Sequence, residues 1–277
     1  MKVRVNAYAK INLFLDVTDR REDGFHNILS VMQSISLCDT LQIDAKESNK
    51  LEIVLTCNDP SLPLDENNLI YKSALKYLSF YNINAKVEII LEKRIPIGAG
   101  LGGGSSDAAA TLRGLNQIYG LASEEELLQL GAEIGSDVPF CIVGGRALCT
   151  GRGEKIQRLV DYPQYCIVVA IGNERISTPK AYAALDHRYN YFDGKTYVPR
   201  EFNGQFYNIF ESVTDITDLS KIKEIMIKSG AESAMMSGSG PAVFGIFSDE
   251  AAAWFAADNL NFEGFSAYYC QTVKGEL

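Results

Sequence analysis

Hydrophobic and polar residues alternate almost without a break from the start of the chain. Val3, Val5, Ala7, Ala9, Ile11, Leu13, Leu15 and Val17 fall on one face of an extended strand, and Arg4, Asn6, Tyr8, Lys10, Asn12, Phe14 and Asp16 on the other. Lys10 and Asn12 therefore project from the same side, about 7 Å apart. A polar turn, Asp19 to Gly24, precedes Phe25 and His26. Ile28 to Leu37 is apolar with mixed periodicity, while Leu41–Asp44, Leu51–Leu55 and Val87–Glu92 have the period of strands. Residues 60–68 are predicted as loop and Leu69 to Tyr81 as a helix, and Gly144 to Glu154 reads as a hairpin region.

A second unit is predicted to follow, opening on the short apolar strand Tyr165–Ala170. Ser177-Thr178-Pro179 starts a helix that runs through Leu185, and residues 186–204, rich in Tyr, Asn and Gly, read as loop. Next come a helix over Asp218–Ser229, a glycine loop over Ala234–Pro241 and a strand over Ala242–Phe247. A helix from Asp249 and a last strand over Phe265–Val273 complete the pattern. The fold class is α+β, with units at 1–158 and 159–277.

One stretch organises the rest: Pro96-Ile97-Gly98-Ala99-Gly100-Leu101-Gly102-Gly103-Gly104-Ser105-Ser106-Asp107, with five glycines within seven positions. A strand precedes it. The segment Asp107–Arg113 reads as a helix, with Ser105, Ser106 or Asp107 placed to cap it. A glycine loop that ends on a helix N-terminus offers free N–H groups and about half a positive charge, which suits a polyphosphate. A P-loop would carry a lysine after these glycines, and none follows. Gly98, Gly100 and Gly103 fit Gly-x-Gly-x-x-Gly, but a dinucleotide fold needs a second parallel strand next. Here Leu121–Leu130 follows, with Ser123 and Glu126 spaced as a capping box, so a second helix comes instead. A flexible linker is the plain alternative, and the strongly patterned flanks argue against it.

Composition narrows the setting. Hydrophobic residues make up 47% and charged residues 22%, as in globular domains. A net charge of −9 argues against nucleic-acid and anionic-membrane surfaces, so a polyphosphate must be held by local donors and a metal. Six cysteines without C-x-x-C spacing, and no secretory signal, point to a reduced cytoplasmic setting. No apolar run approaches the ~20 residues of a membrane span. Neither of the two histidines has a metal-ligand partner at helical spacing, and no Ser–His–Asp or Cys–His arrangement stands out. Phosphoryl transfer needs positioning, a cation at the transferred group and a carboxylate for the acceptor's proton; Lys10 and Asp137 are the candidates. Taken singly, Lys10 is a solvated lysine, Asp137 a turn aspartate before Pro139, and His26 a structural histidine.

Four motifs in order change those odds. Ala9-Lys10-Ile11-Asn12-Leu13, Asp23-Gly24-Phe25-His26, Gly135-Ser136-Asp137-Val138-Pro139-Phe140 and Ser237-Gly238-Ser239-Gly240-Pro241, together with the glycine stretch, resemble the GHMP kinases. The resemblance spans about residues 7–247. It implies an N-terminal domain like ribosomal protein S5 domain 2 and a ferredoxin-like C-terminal domain, with the active site between them. It implies ATP as donor, Mg²⁺ and, within that family, an acceptor hydroxyl on a methylerythritol bearing a cytidine diphosphate, in the non-mevalonate route to isoprenoids. Residues 96–106 would hold ATP, with Ser106 also a metal contact; Asp137 would be the general base and Lys10 its electrostatic partner. Asn12 would orient the polyol, and Phe25, His26 and Tyr182 would meet the cytosine. Many members carry tyrosine where Phe25 stands, and an aspartate where Ile209 follows Asn208. A monomer or weak homodimer is expected, with no nucleic-acid or membrane partner. The rivals are another GHMP kinase, acting on homoserine, mevalonate or galactose, and a non-catalytic nucleotide-binding protein.

Overall fold

The alternating N-terminal stretch forms β1 (Lys2–Arg20), which turns at Gly24 and returns as β2 (His26–Glu47). In the computed structural model, which describes residues 1–160, 164–174, 177–189 and 205–275, the chain continues as β3 (Glu52–Cys57), α1 (Leu69–Phe80) and β4 (Ala85–Glu92). Then come α2 (Gly103–Tyr119), α3 (Glu124–Ile134), α4 (Val138–Val143) and the hairpin β5 (Arg146–Thr150) with β6 (Lys155–Arg158). The remainder is β7 (Cys166–Ile171), α5 (Thr178–Tyr189), β8 (Tyr207–Asn208), α6 (Thr217–Lys228), β9 (Ser233–Met236), β10 (Val243–Phe247), α7 (Glu250–Phe262) and β11 (Ser266–Gln271).

Two sheets result. The larger has the order β3-β4-β2-β1-β8, with β5 on the far half of β2 and β6 beyond it. The smaller is antiparallel in the order β11-β7-β10-β9. With α6 between β7 and β9 and α7 between β10 and β11, that is the ferredoxin-like arrangement, into which α5 and β8 are inserted. The family's two-domain α+β fold is thus present. Helices α1–α4 cover one face of the large sheet, its other face packs on the small sheet, and α6 and α7 cover the far side. Strand β7 is buried on both faces: Ile167 and Val169 enter the core between the sheets, and Val168 and Ala170 the core under α6 and α7. Its continuous apolar run follows from that two-sided burial.

Strand β1 departs from the single-faced reading. Val5, Ala7, Leu15 and Val17 pack under the helices, but Ala9, Ile11 and Leu13 enter the core between the sheets. The register with β2 shifts between Tyr8 and Lys10 and again between Asn12 and Phe14, so two irregularities flip the faces and flip them back. Their consequence is functional. Lys10 and Asn12 are turned to the helix side, buried among α2 and α4 rather than left in solvent. Helix α5 runs four residues past Leu185, its last turn carrying His187 and Arg188 where cations suit the carbonyl end. Of the expected loop 186–204, residues 190–204 lie outside those described. All six cysteines are free, and no described helix is long and apolar enough to cross a membrane.

Candidate active site

The glycine stretch is ordered by the alternation within it. Ala99 and Leu101 are buried in the core between the sheets, while Gly98, Gly100 and Gly102 adopt φ of 69°, 80° and 69°. At Gly100 the requirement is absolute: a Cβ there would lie 2.3 Å from the Ser237 carbonyl oxygen, at a φ that side chains rarely adopt. Both glycine loops are stitched together, because Ala242 N–H donates to the Ala99 carbonyl at 3.0 Å and Ser237 Oγ donates to the Gly100 carbonyl at 3.0 Å. The C-terminal loop is held in turn by Asn208, whose amide donates to the Met236 and Gly238 carbonyls at 2.8 Å each.

The expected side-chain cap on the following helix is not used. Helix α2 starts four residues earlier than the pattern suggests, with Gly102 as its N-cap and no side-chain bond. Ser106 and Asp107 lie within its first turns. The Ser106 hydroxyl donates to the Tyr8 carbonyl and lies 3.4 Å from Cys141 Sγ. The N–H groups of Gly103, Gly104 and Ser105 remain at the positive end of a 17-residue helix. Residues 96–105 border a cavity of about 340 Å³, and Gly100, Gly102 and Ser105 also border a second, larger cleft of about 660 Å³. Ser106 is buried and borders neither.

At the floor of the larger cleft Lys10 meets Asp137. The ammonium lies 3.4 Å from Asp137 Oδ2 and donates to Asn12 Oδ1 at 2.8 Å; the Asn12 amide donates to Ser30 Oγ at 2.8 Å, and Ser30 Oγ to the Phe14 carbonyl. Asp137 is the N-cap of α4 yet makes no side-chain cap bond, so its carboxylate is left to face Lys10 and the cleft. The lysine side chain is 5% exposed and the aspartate 29%, so the cation is fixed and the carboxylate reachable. The Lys10 stem crosses the glycine loop so closely that a Cβ on Gly102 would lie 2.9 Å from its Cγ.

The far wall of the cleft is aromatic. His26 and Tyr182 stack with centroids 4.7 Å apart, and Tyr182 also meets Phe210 edge-on at 4.9 Å. Burial raises the Tyr182 phenol well above its ordinary pKa. Phe25 is half exposed at the rim, with the Arg152 guanidinium over its ring at 5.0 Å. Every candidate with a proposed role toward the acceptor, namely Lys10, Asn12, Phe25, His26, Asp137 and Tyr182, lines this one cleft.

Sequence reasoning missed three further residues here. Ser30 lies in the stretch of mixed periodicity. Asp186 is one residue past the predicted end of its helix, and it binds His26 Nε2 at 2.7 Å and Arg20 Nη1 at 3.1 Å, joining α5 to the β1–β2 hairpin. Arg152 sits in the β5–β6 turn, where a lone cation between two glycines was the available signal.

The profile described as "GHMP kinases N terminal domain" matches residues 68–145, and that described as "GHMP kinases C terminal" matches 216–265. A 4-diphosphocytidyl-2-C-methyl-D-erythritol kinase of Clostridium novyi (strain NT) is 43% identical over 255 residues, which cover 88% of this chain and 90% of the relative. The crystal structure of a 4-(cytidine 5'-diphospho)-2C-methyl-D-erythritol kinase matches with a TM-score of 0.80 at 32% identity, over 99% of this chain and 100% of that one. A homoserine kinase from Cytophaga hutchinsonii matches with a TM-score of 0.72 at 19% identity, over 99% and 95% of the two chains, a likeness of fold alone.

Proposed function

The chain belongs to the GHMP kinase family, among its 4-diphosphocytidyl-2-C-methyl-D-erythritol kinases, and we propose from that membership the reaction and the roles that follow. The protein transfers the γ-phosphoryl group of ATP to the 2-hydroxyl of 4-diphosphocytidyl-2-C-methyl-D-erythritol, a step toward isoprenoid precursors. ATP lies along residues 96–106, its phosphates taken by the N–H groups and dipole at the start of α2. The acceptor's hydroxyl oxygen attacks the γ-phosphorus in line as the bond to the β–γ bridging oxygen breaks, and its proton passes to Asp137. Lys10 holds the aspartate in place and stabilises negative charge on the phosphoryl group in transit. Asn12 orients the polyol, and Phe25, His26 and Tyr182 receive the cytosine.

Magnesium prefers oxygen donors and keeps several waters when it travels on a nucleotide. Oxygens that border the cleft include the Asp137 carboxylate and the Ser105 hydroxyl, and these donors fit a phosphate-borne ion that they would hold; Ser106, the residue expected to touch it, is buried with its hydroxyl given to the Tyr8 carbonyl. When bound, the ion neutralises phosphate charge.

The observation that carries the proposal is the 3.4 Å approach of Lys10 to Asp137 on the floor of a cleft bordered by the glycine loop. The non-catalytic alternative would gain weight only if those two side chains lay far apart. Against another GHMP kinase, the test is ATP consumption with the cytidine diphosphate substrate compared with free methylerythritol, homoserine and mevalonate. Turnover is expected with the first alone; an active free polyol or amino acid would transfer the chain to another substrate class.

A further inference from the structure

Among the described residues, three Lys or Arg side chains line the acceptor cleft: Lys10, Arg20 and Arg152. Two have their charge answered from within the protein, Lys10 by Asp137 at 3.4 Å and Arg20 by Asp186 at 3.1 Å. Arg152 differs. Among the described residues no carboxylate lies within ion-pair distance of its guanidinium, which rests over the Phe25 ring at 5.0 Å. Its field reaches Asp23, but that carboxylate is already paired with Arg21 at 2.9 Å. In a chain of net charge −9, an unanswered guanidinium in a cleft is unusual and calls for an anion from outside.

The turn that carries Arg152 is firmly built. Arg152 N–H donates to Glu154 Oε2 at 2.6 Å, Gly153 N–H to the Thr150 carbonyl at 3.1 Å, and Ile28 N–H to the Gly151 carbonyl at 2.7 Å. The next residue of the turn abuts the proton acceptor: a Cβ on Gly153 would lie 3.5 Å from Asp137 Oδ1, while the Arg152 guanidinium lies over Phe25, and Asp137, Arg152 and Phe25 all line the one cleft. Followed through these contacts, the order is proton acceptor, the turn that carries Arg152, aromatic ring.

We infer, on the reading of the acceptor given above, that Arg152 is the residue that binds the diphosphate linking the polyol to the cytidine. The acceptor has the same order, with its hydroxyl at one end, two phosphates in the middle and a base at the other. A guanidinium offers a planar fork of donors to phosphate oxygens, and its charge would be answered only when substrate arrives. Arg152 also covers the aromatic face that a base would use, so in the free protein the cation–π contact holds the site closed to ring stacking. Substrate binding exchanges both partners at once: the guanidinium moves to the diphosphate, and the base takes its place on Phe25. A nucleoside without phosphates must uncover the ring with no anion to hold the displaced cation, so discrimination for the diphosphate is built into the exchange.

Calorimetric titration of cytidine diphosphate and of cytidine into the wild type, Arg152→Ala and Arg152→Lys tests this. Cytidine diphosphate is expected to lose roughly 10- to 100-fold in affinity in Arg152→Ala, the size of a lost charge-assisted hydrogen bond. ATP is expected to bind the variant as it binds the wild type, and cytidine at least as tightly, because the ring no longer has to be uncovered. Arg152→Lys, which keeps the charge and loses the fork, falls between the two and serves alone should the alanine variant not fold. In turnover the loss appears in KM with kcat kept, the signature of binding shared by ground and transition states. Unchanged binding of cytidine diphosphate in Arg152→Ala, or an equal loss of cytidine, would overturn the assignment. A wild type that phosphorylates no cytidine diphosphate acceptor, yet keeps this contrast between the two ligands, would remove the proposed reaction and leave the diphosphate site standing.

Discussion

Two lysines press on the glycine loop from opposite sides, and each sits against carboxylates. A Cβ on Gly102 would touch the stem of Lys10, and one on Gly103 would lie 3.0 Å from Lys93 Nζ. On the cleft side, Lys10 has a single carboxylate at 3.4 Å, and that aspartate is 29% exposed. Behind the loop, Lys93 has two, Asp39 at 2.5 Å and Asp107 at 2.7 Å, and none of the three side chains is more than 5% exposed. Asp39 also accepts from Arg94 N–H at 2.5 Å and Ile95 N–H at 2.8 Å, which ties β2 to the root of the loop. The contrast separates two uses of one ion pair. A cation with one loosely held, reachable carboxylate keeps lone pairs and charge for an incoming group, whereas one enclosed by two buried carboxylates fixes three chain segments and has little left to give.

The sharpest way to break that contrast is at Asp137. Asp137→Ala is expected to lower kcat by about 10²- to 10⁴-fold, the range of a general base, with ATP binding retained in calorimetry. Turnover near that of the wild type would remove the base role. Lys10→Ala comes next, with an expected loss of more than about 10²-fold in kcat, on the scale of a transition-state charge contact. If Lys10→Ala weakened ATP binding while leaving kcat alone, the lysine would be a ground-state phosphate contact only.

Behind the loop the expected loss is in stability. Asp39→Ala removes the acceptor of two backbone N–H groups and leaves Lys93 with one carboxylate, which should cost about 3–5 kcal/mol. Urea unfolding of the variant checks it, and kcat measured where the variant is folded is expected to stay close to that of the wild type. A variant as stable as the wild type but slow in turnover would make the two lysine sites alike.

How much of this was legible in the sequence depended on whether a signal was local. The glycine loop, β4 before it and the capping box at Ser123 are short-range patterns, and the structure has them, including the reciprocal bonds of Ser123 and Glu126. The alternation of β1 located the strand but not its faces, because the register shifts at Tyr8–Lys10 and Asn12–Phe14 are set by pairing with β2. Lys10 and Asn12 were correctly read as neighbours, yet their burial against α4 depends on contacts more than a hundred residues away in sequence. The helix cap failed for a related reason. Ser106 and Asp107 have the chemistry of caps, but Tyr8 and Lys93 claim their side chains, and Gly102 in the left-handed region starts the helix instead. Asp39, which lies between the apolar stretch ending at Leu37 and the strand pattern beginning at Leu41, gave no sign of its buried partner at Lys93.

The smallest expected effect concerns the sign of a charge. Two carboxylates surround one ammonium behind the loop, and Asp107 Oδ1 is buried without a hydrogen-bond partner. Burial pushes the Asp107 carboxyl up to about 8, against the pull of Lys93 and with the repulsion of Asp39. For Lys93 burial pulls the ammonium down, but the two carboxylates outweigh it, so it stays charged. Between the ordinary aspartate range and about pH 8 the folded protein therefore holds a proton that the unfolded chain has released. This contribution to stability is fully present below the ordinary aspartate value and is lost as pH rises through the folded one. Asp107→Asn keeps the shape and cannot titrate, so subtracting its Tm from that of the wild type isolates the group. The difference is expected to fall steadily as pH is raised from about 5 to about 9, and parallel curves would mean that Asp107 is ionised in the fold after all, with Lys93 shared evenly between two anions.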